Sequence, residues 1–394
     1  MLKVDYETAD QQIRTPSYVF DTDVVNARIA MIKKLLGERV SLCYAMKANA
    51  FIIDAMQDHI DRYEVCSPGE FRICERAGIP MEKIVMSGVY KAEEDIHRVI
   101  KTYGTEIVYT AESQRQFEQI DAAAQEAGIE VRVLLRVTSG NQFGIDEPLL
   151  REIIAHRRQY PGVKIIGIQH FSGTQRKRLS KYEEELHYVD ELLADLKQQY
   201  GYEAEELEFG PGFYVEYFQG AKAYDEQELL KGFRKLLDDL QFQGNITLEL
   251  GRFIAASCGK YYTRIVDMKQ NSGVHYCIVD GGIHQLNYFG QMMAMKQPYY
   301  RQLSETNRER DTKTYNICGS LCTVNDNLVK NMELQDAQIN DILEFSNTGA
   351  YSMIEGASLF LSRDLPRIYR YSDSDGLQLL RDRFDTDVLN YKMK

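Results

Sequence analysis

Long apolar runs are missing from this 394-residue chain, so the sequence does not predict a membrane-spanning helix. Its first residues, MLKVDYETADQQ, are charged and lack the apolar core of a secretory signal, which leads us to expect a cytoplasmic protein. Positive charge is also scarce: 47 Lys and Arg stand against 59 Asp and Glu, and the net charge of −12 argues against nucleic-acid binding.

Closely spaced cysteine pairs are lacking as well. The chain has seven cysteines but no CxxC motif, and only Cys318 and Cys322 lie near each other. That spacing is too sparse for a zinc site, so we expect no metal centre. An odd number of cysteines fits free thiols in a reducing compartment. The remaining composition is that of a globular protein, and 394 residues are enough for two domains.

What the chain does contain is an alternation of strand-like and helix-like stretches from about residue 17 to residue 265. Amphipathic helical segments between the apolar runs end at glycines such as Gly37 and Gly201. A strand followed by a helix, repeated about eight times, predicts an α/β fold with a closed (β/α)8 barrel, and a doubly wound open sheet is the alternative. The strand-like runs are YVFD, SLCYAMK, RYEVCS, KIVMSG, EIVYTA, VRVLLRV, KIIGIQHF, LEFGPGF and ITLELGR.

After Arg252 the pattern changes to strand-like runs that are joined by turns, such as RIVDMKQ, VHYCIVDGG, YNICGS and DILEFSN. Such a series predicts a mainly antiparallel second domain. We therefore expect a barrel over residues 25–265 and a C-terminal β domain over residues 266–394. Residues 1–24 are expected to join the β domain, although the early run SYVF could belong to either body.

One lysine has an unusual setting. Lys47 closes the segment SLCYAMK, whose alternation predicts a strand, and the small residues Ala48, Asn49 and Ala50 follow it. A lysine on a packed strand is costly unless its charge is lost or paired. Desolvation lowers the pKa of an amine and makes it a nucleophile towards carbonyl groups. The alternative is an ordinary lysine at a strand end, whose amine reaches water.

Glycine turns and charged pairs follow several of the predicted strands, and in a barrel the loops after the strands form the site. The turn GPGF (210–213) resembles a phosphate-binding turn, although Pro211 removes one N–H donor. The segment SGTQ (172–175) is a second candidate. ELGR (249–252) places a carboxylate and a guanidinium at one strand end, which an ordinary surface ion pair would explain equally well.

Taken together, these motifs resemble the alanine-racemase-like (fold type III) pyridoxal-phosphate decarboxylases, which include diaminopimelate, ornithine and arginine decarboxylases. The resemblance spans nearly the whole chain. It implies a pyridoxal phosphate (PLP) cofactor in the (β/α)8 barrel, a C-terminal β domain, and a homodimer with sites shared between subunits. The motifs, in chain order, are SYVFD, YAMKAN, EVCSPGEF, FGI, SGTQ, GPGF, ELGR, VDGG, GSLCTVND and GAYS.

The resemblance also implies roles for individual residues. Lys47 matches the lysine that forms the Schiff base with PLP, and Glu249 matches the acid that pairs with the pyridine nitrogen. Arg252 matches an arginine near the phosphate or the substrate carboxylate. Cys322 matches the cysteine that reaches into the partner subunit's site and protonates the product carbanion, whereas a cysteine is most often a small buried hydrophobe. Arg136 lies near the cofactor by the same comparison, and the implied phosphate contacts are Thr174, Gly210, Gly212 and Tyr351.

The implied reaction is the removal of the α-carboxylate of an amino acid as CO2. The substrate takes the place of Lys47 on the cofactor, loses CO2 and is then protonated at Cα. An ionised Glu249 keeps the pyridine nitrogen protonated, and the resulting pyridinium is the electron sink that decarboxylation needs.

Two departures from the family pattern concern the cofactor ring and the substrate. The ring-stacking histidine of the family falls on Phe171, with His170 one position away, and one step along a strand changes the face. We expect Phe171 to stack on the ring. The acidic residue that usually follows the cysteine and binds a distal amino group is replaced by Thr323.

A free diamino acid is therefore a less favoured substrate than a modified or conjugated amino acid, unless Asp326 or Glu355 supplies the missing charge. A carboxylate about 4 Å from an ammonium contributes roughly 4 kcal/mol at an effective dielectric of 20, and a hydroxyl contributes far less. The ending GAYSMIEGASLFLSRDLP resembles a branch of the family that serves specialised metabolism and includes decarboxylases of carrier-bound substrates.

Two other functions stay open at this point. An amino-acid racemase would need a second base, usually a tyrosine early in the C-terminal domain, and would not need Cys322. A PLP carrier without catalysis resembles the barrel alone, and the residues beyond Arg252 argue against it.

Overall fold

A computed structural model describes residues 13–221, 224–303 and 311–392. The expected assignment of residues 1–12 to the β domain lies outside these ranges. The described residues fall into two compact units: a barrel unit of residues 26–214 and 224–254, and a β unit of residues 13–25, 215–221, 255–303 and 311–392.

The barrel unit is built on eight parallel strands that close on themselves in the order β2 to β9. The last strand pairs with the first, with Cys43 opposite Glu249. The closed barrel confirms the predicted fold class and excludes the open sheet. The strands are β2 (Val40–Ala45), β3 (Arg62–Val65), β4 (Ile84–Met86), β5 (Val108–Ala111), β6 (Val131–Val137), β7 (Val163–Phe171), β8 (Glu206–Gly210) and β9 (Asn245–Leu250).

Helices follow most of the barrel strands, and their ends show why they begin and stop where they do. The Ser67 side chain accepts a hydrogen bond from the Glu70 amide at the start of one helix, and Ser113 caps another in the same way. Gly201 ends the longest of them in a left-handed conformation, with φ +57°. The helices are α1 (Thr22–Leu36), α2 (Pro68–Ala77), α3 (Glu93–Tyr103), α4 (Gln114–Ala127), α5 (Glu147–Ala155), α6 (Leu179–Tyr200), α7 (Glu226–Asp238) and the short α8 (Arg252–Ala255).

The inside of the barrel is partly polar. Arg62 on β3 pairs with Glu206 on β8, and these strands are not neighbours, so the side chains meet across the interior. Thr247 on β9 donates to the same Glu206 carboxylate at 2.8 Å. Buried charges are costly unless they are paired. In this group the guanidinium of Arg62 and the carboxylate of Glu206 pair with each other.

The β unit is a nine-stranded, mainly antiparallel sheet, as the sequence predicts. The run SYVF forms its strand β1, which pairs with β10 and with β16, so it belongs to the sheet. The strand order is β14-β13-β11-β10-β1-β16-β17, and β15 pairs with both β10 and β12. The strands are β1 (Ser17–Asp21), β10 (Gly259–Asn271), β11 (Val274–Val279), β12 (Tyr300–Leu303), β13 (Thr312–Cys318), β14 (Asn327–Gln335), β15 (Ile342–Ser346), β16 (Arg367–Ser372) and β17 (Gly376–Arg381).

None of the described helices is long and apolar enough to cross a membrane. All seven cysteines are free thiols. Within the described ranges, no cluster of His, Cys, Asp and Glu side chains has the make-up of a metal site.

Candidate active site in the barrel

Lys47 lies just after β2, not on it as the alternation predicted. The strand ends at Ala45, and residues Met46–Ala48 form a single 3₁₀ turn. The strand is buried on both faces, as barrel strands are, so its alternation carries no information about where it ends. The Lys47 side chain is 42% exposed, and its Nζ lies 2.6 Å from Glu64 Oε2 and 3.5 Å from Cys66 Sγ.

Glu64 is the buried partner of this amine. Its side chain is 4% exposed, on strand β3 inside the barrel. Burial acts to raise the pKa of Glu64, but the charge and hydrogen bond of Lys47, with smaller contributions from Cys66 and Arg136, outweigh burial and lower it. Glu64 is therefore ionised at neutral pH and holds the amine over the barrel mouth.

Glu249 belongs to a second group of polar side chains, on strands β7 to β9. The amide Nε2 of Gln169 donates to Glu208 Oε1 at 2.8 Å and also to Glu249. Burial and the charge of Glu64 raise the pKa of Glu249. The acid that the sequence predicts thus has a fixed amide donor and a second carboxyl as its neighbours.

Arg136 is the last residue but one of strand β6, and its guanidinium lies 3.0 Å from the buried carboxylate of Glu112. The same guanidinium stacks over the Phe143 ring at 4.8 Å. The pair places a second fixed cation at the carboxyl end of β6, and a position of Arg136 near the cofactor stays a prediction.

Among the lysines that the structure describes, Lys91, in the loop after β4, is the buried one. Its Nζ donates to Gly88 O at 2.8 Å, to Gln116 Oε1 at 3.1 Å and to Thr110 Oγ1 at 3.4 Å. Burial lowers the pKa of Lys91 to about 8. The desolvated amine that the strand pattern predicts at Lys47 is thus found at Lys91.

The two glycine loops lie against each other at the same end of the barrel. Gly212, with φ +57°, is so close to the Gly173 carbonyl oxygen that an added Cβ would lie 1.8 Å from it. The Arg176 amide donates to Gly212 O, and the Tyr214 amide donates to Arg176 O, each at 2.9 Å. The loops therefore form one cradle of backbone next to exposed Thr174, of a kind that binds anions.

Phe171 and His170 occupy opposite faces of β7. His170 is buried beside Phe209 and Tyr188, at ring-centroid distances of 5.9 Å and 6.2 Å, and burial lowers its pKa. Phe171 shares the inward face of Gln169, and its ring lies where a Cβ on Gly210 would be. The geometry thus places the phenyl ring beside the glycine loops and the imidazole behind the strand.

The glycine of ELGR explains how the Lys47 turn and β9 come together. A Cβ at Gly251 would lie 3.1 Å from Ala48 Cβ and 3.2 Å from Ala45 Cβ, so the two backbones are in close contact. Arg252 follows at the start of α8 and is 8% exposed. Small residues on both sides therefore bring Glu249, Arg252 and Lys47 to one end of the barrel.

The other predicted site residues belong to the β unit. Tyr351 lies in a turn after β15 and has the left-handed φ of +64°, which is uncommon for a residue with a side chain. Cys322 is exposed and lines a cleft with Ser320 and Arg363. Thr323 follows it and is partly buried.

Asp326 is 2% exposed and holds the Cys322 loop from within. Its Oδ1 accepts the Ile283 amide at 2.8 Å, and its Oδ2 accepts the Leu321 amide at 2.7 Å. Both oxygens are thus engaged by backbone, and burial raises the pKa of the carboxyl. This setting suits a residue that holds the loop better than the substrate contact that the sequence predicts for Asp326.

Several polar residues of the barrel site were not singled out in the sequence. They share one signal: each follows or interrupts an apolar barrel strand. In a closed barrel the side chains at every second position converge, so a polar residue at such a position predicts a site more strongly than it predicts a surface. These residues are Glu64, Lys91, Glu112, Gln169 and Glu208.

The barrel site has the parts that PLP requires: an accessible amine, an acid for the pyridine nitrogen, and a backbone cradle for the phosphate. A Cβ added at Gly212 would lie 1.8 Å from the Gly173 carbonyl oxygen, so the two glycine loops pack with no side chain between them, and a backbone cradle of this kind can bind a phosphate. The residues present therefore fit the cofactor, which would be held by Lys47, Glu249 and the two glycine loops.

A comparison with protein families agrees with this geometry. The family model described as "Pyridoxal-dependent decarboxylase, pyridoxal binding domain" matches residues 22–256. Among characterised proteins, an L-glutamyl-[BtrI acyl-carrier protein] decarboxylase of Niallia circulans is 26% identical over 386 residues, covering 90% of this chain and 88% of the relative. A diaminopimelate decarboxylase of Aquifex aeolicus is 25% identical, covering 86% and 83%.

A third relative, from Staphylococcus aureus, is a 2-[(L-alanin-3-ylcarbamoyl)methyl]-2-hydroxybutanedioate decarboxylase, 22% identical over 89% of this chain and 92% of its own length. Among solved structures, a diaminopimelate decarboxylase of M. jannaschii in complex with L-lysine has a TM-score of 0.84 at 22% identity, covering 95% of this chain and 91% of the other. A lysine/ornithine decarboxylase of Vibrio vulnificus has a TM-score of 0.80 at 19% identity, covering 94% and 99%. These structures share the fold.

Proposed function

Since this chain belongs to the pyridoxal-dependent decarboxylases, as the match over residues 22–256 shows, we propose that it removes the α-carboxylate of an amino acid or amino-acid conjugate that has no free distal ammonium group. The protein is a PLP-dependent amino-acid decarboxylase. When bound, PLP supplies the electron sink for the loss of CO2. We also propose that the protein forms a homodimer and is located in the cytoplasm.

The environment of Asp326 is the observation that carries the substrate proposal. Both of its carboxylate oxygens accept backbone amides, so it is not available to bind an ammonium group. Thr323 offers only a hydroxyl group, and Glu355 is exposed to solvent, where an ion pair with an ammonium group contributes little. Without a carboxylate at this place, a distal ammonium would lose its solvation without gaining a counter-charge.

The curated relatives are compatible with either substrate type. The Niallia circulans relative acts on a carrier-bound glutamyl group, and the Staphylococcus aureus relative acts on a conjugate that contains a butanedioate. The Aquifex aeolicus relative acts on diaminopimelate, which has a free distal amino group. The local environment of Asp326 favours the first type.

The residues of this chain have separate tasks in the proposed reaction. The Lys47 amine carries the cofactor and later returns to release the product, while Glu64 holds that amine in place. Glu249 keeps a proton on the pyridine nitrogen, and the phenyl ring of Phe171 supports the cofactor ring. Cys322 of the partner subunit delivers a proton to Cα.

The contacts of Tyr261 and Tyr262 argue against the racemase alternative. They are the first tyrosines after residue 255, where the C-terminal part of the β unit begins and where a racemase has its second base. Tyr261 donates to Gln285 Oε1 at 2.8 Å and Tyr262 to Glu344 Oε2 at 3.0 Å, and both side chains are buried. Burial raises the pKa of each phenol, so neither is suited to act as a base.

The proposal is tested by measuring CO2 release from two groups of compounds. One group contains γ-glutamyl thioesters of phosphopantetheine and N-acylated diamino acids, and the other contains free ornithine, lysine and diaminopimelate. We expect turnover in the first group. Faster turnover of a free diamino acid would contradict the proposal. The Thr323→Glu variant restores the missing acid and is expected to raise kcat/KM for free diamino acids by at least about tenfold.

A further inference from the structure

Glu208 is a carboxyl group inside the barrel that has no role in the reaction described so far. Its side chain is fully buried on β8, and the neighbouring strand β9 carries Glu249. One amide group, Gln169 Nε2, donates to both carboxyls, so their relative position is fixed. A hydrogen bond between the two carboxyls raises the pKa of Glu208 and lowers that of Glu249. Glu208 Oε2 is buried and accepts no hydrogen bond from any described donor.

Two buried carboxyls that share one amide donor are not both ionised at neutral pH, because each charge opposes the other and burial removes most of their solvation. One proton must therefore lie between Glu208 and Glu249. A protonated Glu208 is a donor, so its Oε2 needs no donor from elsewhere in the protein. The missing partner of Oε2 is then explained by an O–H bond that points to Glu249.

The surroundings decide which carboxyl keeps the proton. Glu208 faces the like charge of Glu206 on its own strand and the thiol of Cys43 on β2. The neighbouring cation, Arg62 on β3, is paired with Glu206. Burial, and then the charge of Glu249, raise the pKa of Glu208 well above its usual range. Ionising Glu208 is therefore the more costly choice.

Glu249 has better counter-charges. Lys47 and Arg136 both favour its ionised form, and a hydrogen bond from Glu208 acts in the same direction. The charge of Glu64 on β3 opposes ionisation, although Lys47 neutralises much of that charge by direct contact. Without the hydrogen bond from Glu208, burial and the charge of Glu64 would raise the pKa of Glu249 further.

We propose that Glu208 is a positioning residue that carries a proton at neutral pH and donates it in a hydrogen bond to Glu249, which keeps Glu249 an ionised carboxylate directed at the pyridine nitrogen of the cofactor. The inference rests on the proposed role of Glu249. Glu208 itself does not contact the cofactor. Gln169 supports the arrangement because its single amide group donates to both acids.

The first test follows the proton itself and requires no catalysis. Infrared spectra of the purified protein, with and without cofactor, report the C=O stretch of a protonated carboxyl. At neutral pH we expect this band in the wild type and in Glu249→Gln, and its loss in Glu208→Gln. A band that survives in Glu208→Gln but disappears in Glu249→Gln would overturn the assignment, as would the absence of a band in the wild type.

The second test uses the kinetics of two variants at position 208. Glu208→Gln keeps an N–H donor to Glu249 and should retain kcat within a few fold. Glu208→Leu removes the donor and should lower kcat by about tenfold or more with little change in KM. Because loss of this hydrogen-bond donor raises the pKa of Glu249, the acid limb of the pH profile of kcat/KM should move to higher pH in Glu208→Leu.

A merely structural Glu208 would give equal losses in both variants and an unmoved acid limb, which would contradict the proposal. If Glu208→Leu does not fold, the infrared comparison of the two Gln variants still decides. An enzyme inert toward every tested substrate would overturn the proposed function but would leave the infrared result intact, so the two failures are distinguishable.

Discussion

At the scale of single residues, Lys47 and Lys91 show how the barrel treats two amines differently. Lys47 is accessible and faces the ionised Glu64 carboxylate. Lys91 is buried, and its amine is held by a carbonyl, an amide oxygen and a hydroxyl. An amine that must exchange partners with a substrate has to be accessible, whereas the position of Lys91 suits an internal support for the loop after β4.

The first prediction concerns Lys91 and the pH dependence of stability. Its folded pKa of about 8 lies below the unfolded value of about 10.4, so the unfolded chain binds more protons between these values. The free energy of unfolding should therefore rise with pH in this window, by about 2 kcal/mol from pH 7.5 to 9.5. Urea unfolding of the wild type and of Lys91→Met checks this, and the same increase in both would contradict it.

The second prediction separates the charge of Lys47 from its chemistry. Lys47→Arg keeps a cation beside Glu64, but a guanidinium does not condense with an aldehyde. The variant should fold with unchanged thermal stability and bind PLP without the visible absorbance of an imine. Lys164→Arg, at an exposed ion pair on the outside of the barrel, is the matched control. An imine spectrum in Lys47→Arg would mean that another lysine holds the cofactor.

At the scale of structural elements, the loops after the barrel strands are fixed by backbone contacts. Gly212 and Gly201 share a φ of +57°, but an added Cβ at Gly212 would meet the Gly173 carbonyl, whereas nothing lies within 4 Å at Gly201. A comparison of the two positions therefore distinguishes two effects of an alanine substitution. At both, the side chain strains a left-handed backbone, but only at Gly212 does it also collide with a neighbouring loop.

The third prediction compares these glycines. Gly201→Ala should lower thermal stability slightly and leave PLP affinity unchanged, because its effect is confined to the end of α6. Gly212→Ala should weaken PLP binding by about tenfold or more, since the two loops must separate to accommodate the methyl group. Fluorescence titration with PLP measures both. Equal affinities would show that the loop pair is not the phosphate cradle.

The Cys322 loop depends in the same way on one internal carboxylate. Asp326→Ala would leave the Ile283 and Leu321 amides without their acceptor. As the fourth prediction, we expect this variant to keep its cofactor spectrum but to lose most turnover, because the loop no longer holds the cysteine in place. Asp385→Ala, at an exposed ion pair of the same unit, is the control. Full activity of Asp326→Ala would show that Asp326 is not needed to hold the Cys322 loop in place.

The elements themselves were largely predictable from the sequence. Alternating apolar runs and capped helices gave the barrel, and turns between short runs gave the antiparallel sheet. The end of β2 could not be predicted, because a strand buried on both faces shows no change of pattern where the turn begins. Glu64 and Glu208 were overlooked because a charged residue on a strand normally indicates a surface, and only closure of the barrel brings such residues together.

At the scale of the whole molecule, the proposed homodimer places Lys47 of one subunit and Cys322 of the other in one site. Lys47→Ala and Cys322→Ala should each be inactive alone. As the fifth prediction, mixing and re-associating them should restore up to about a quarter of wild-type activity, because half of the dimers then have one intact site. No recovery, in a dimer shown by light scattering to have exchanged subunits, would place both residues in the same subunit's site.

The measurement that tests the account most directly is to trap the cofactor on its lysine. Borohydride reduction of the PLP-loaded protein, followed by proteolysis and mass spectrometry, identifies the modified residue. The account predicts a phosphopyridoxyl group on the peptide that contains Lys47 and none on the peptide that contains Lys91. Labelling of Lys91, or of no lysine at the barrel mouth, would contradict it.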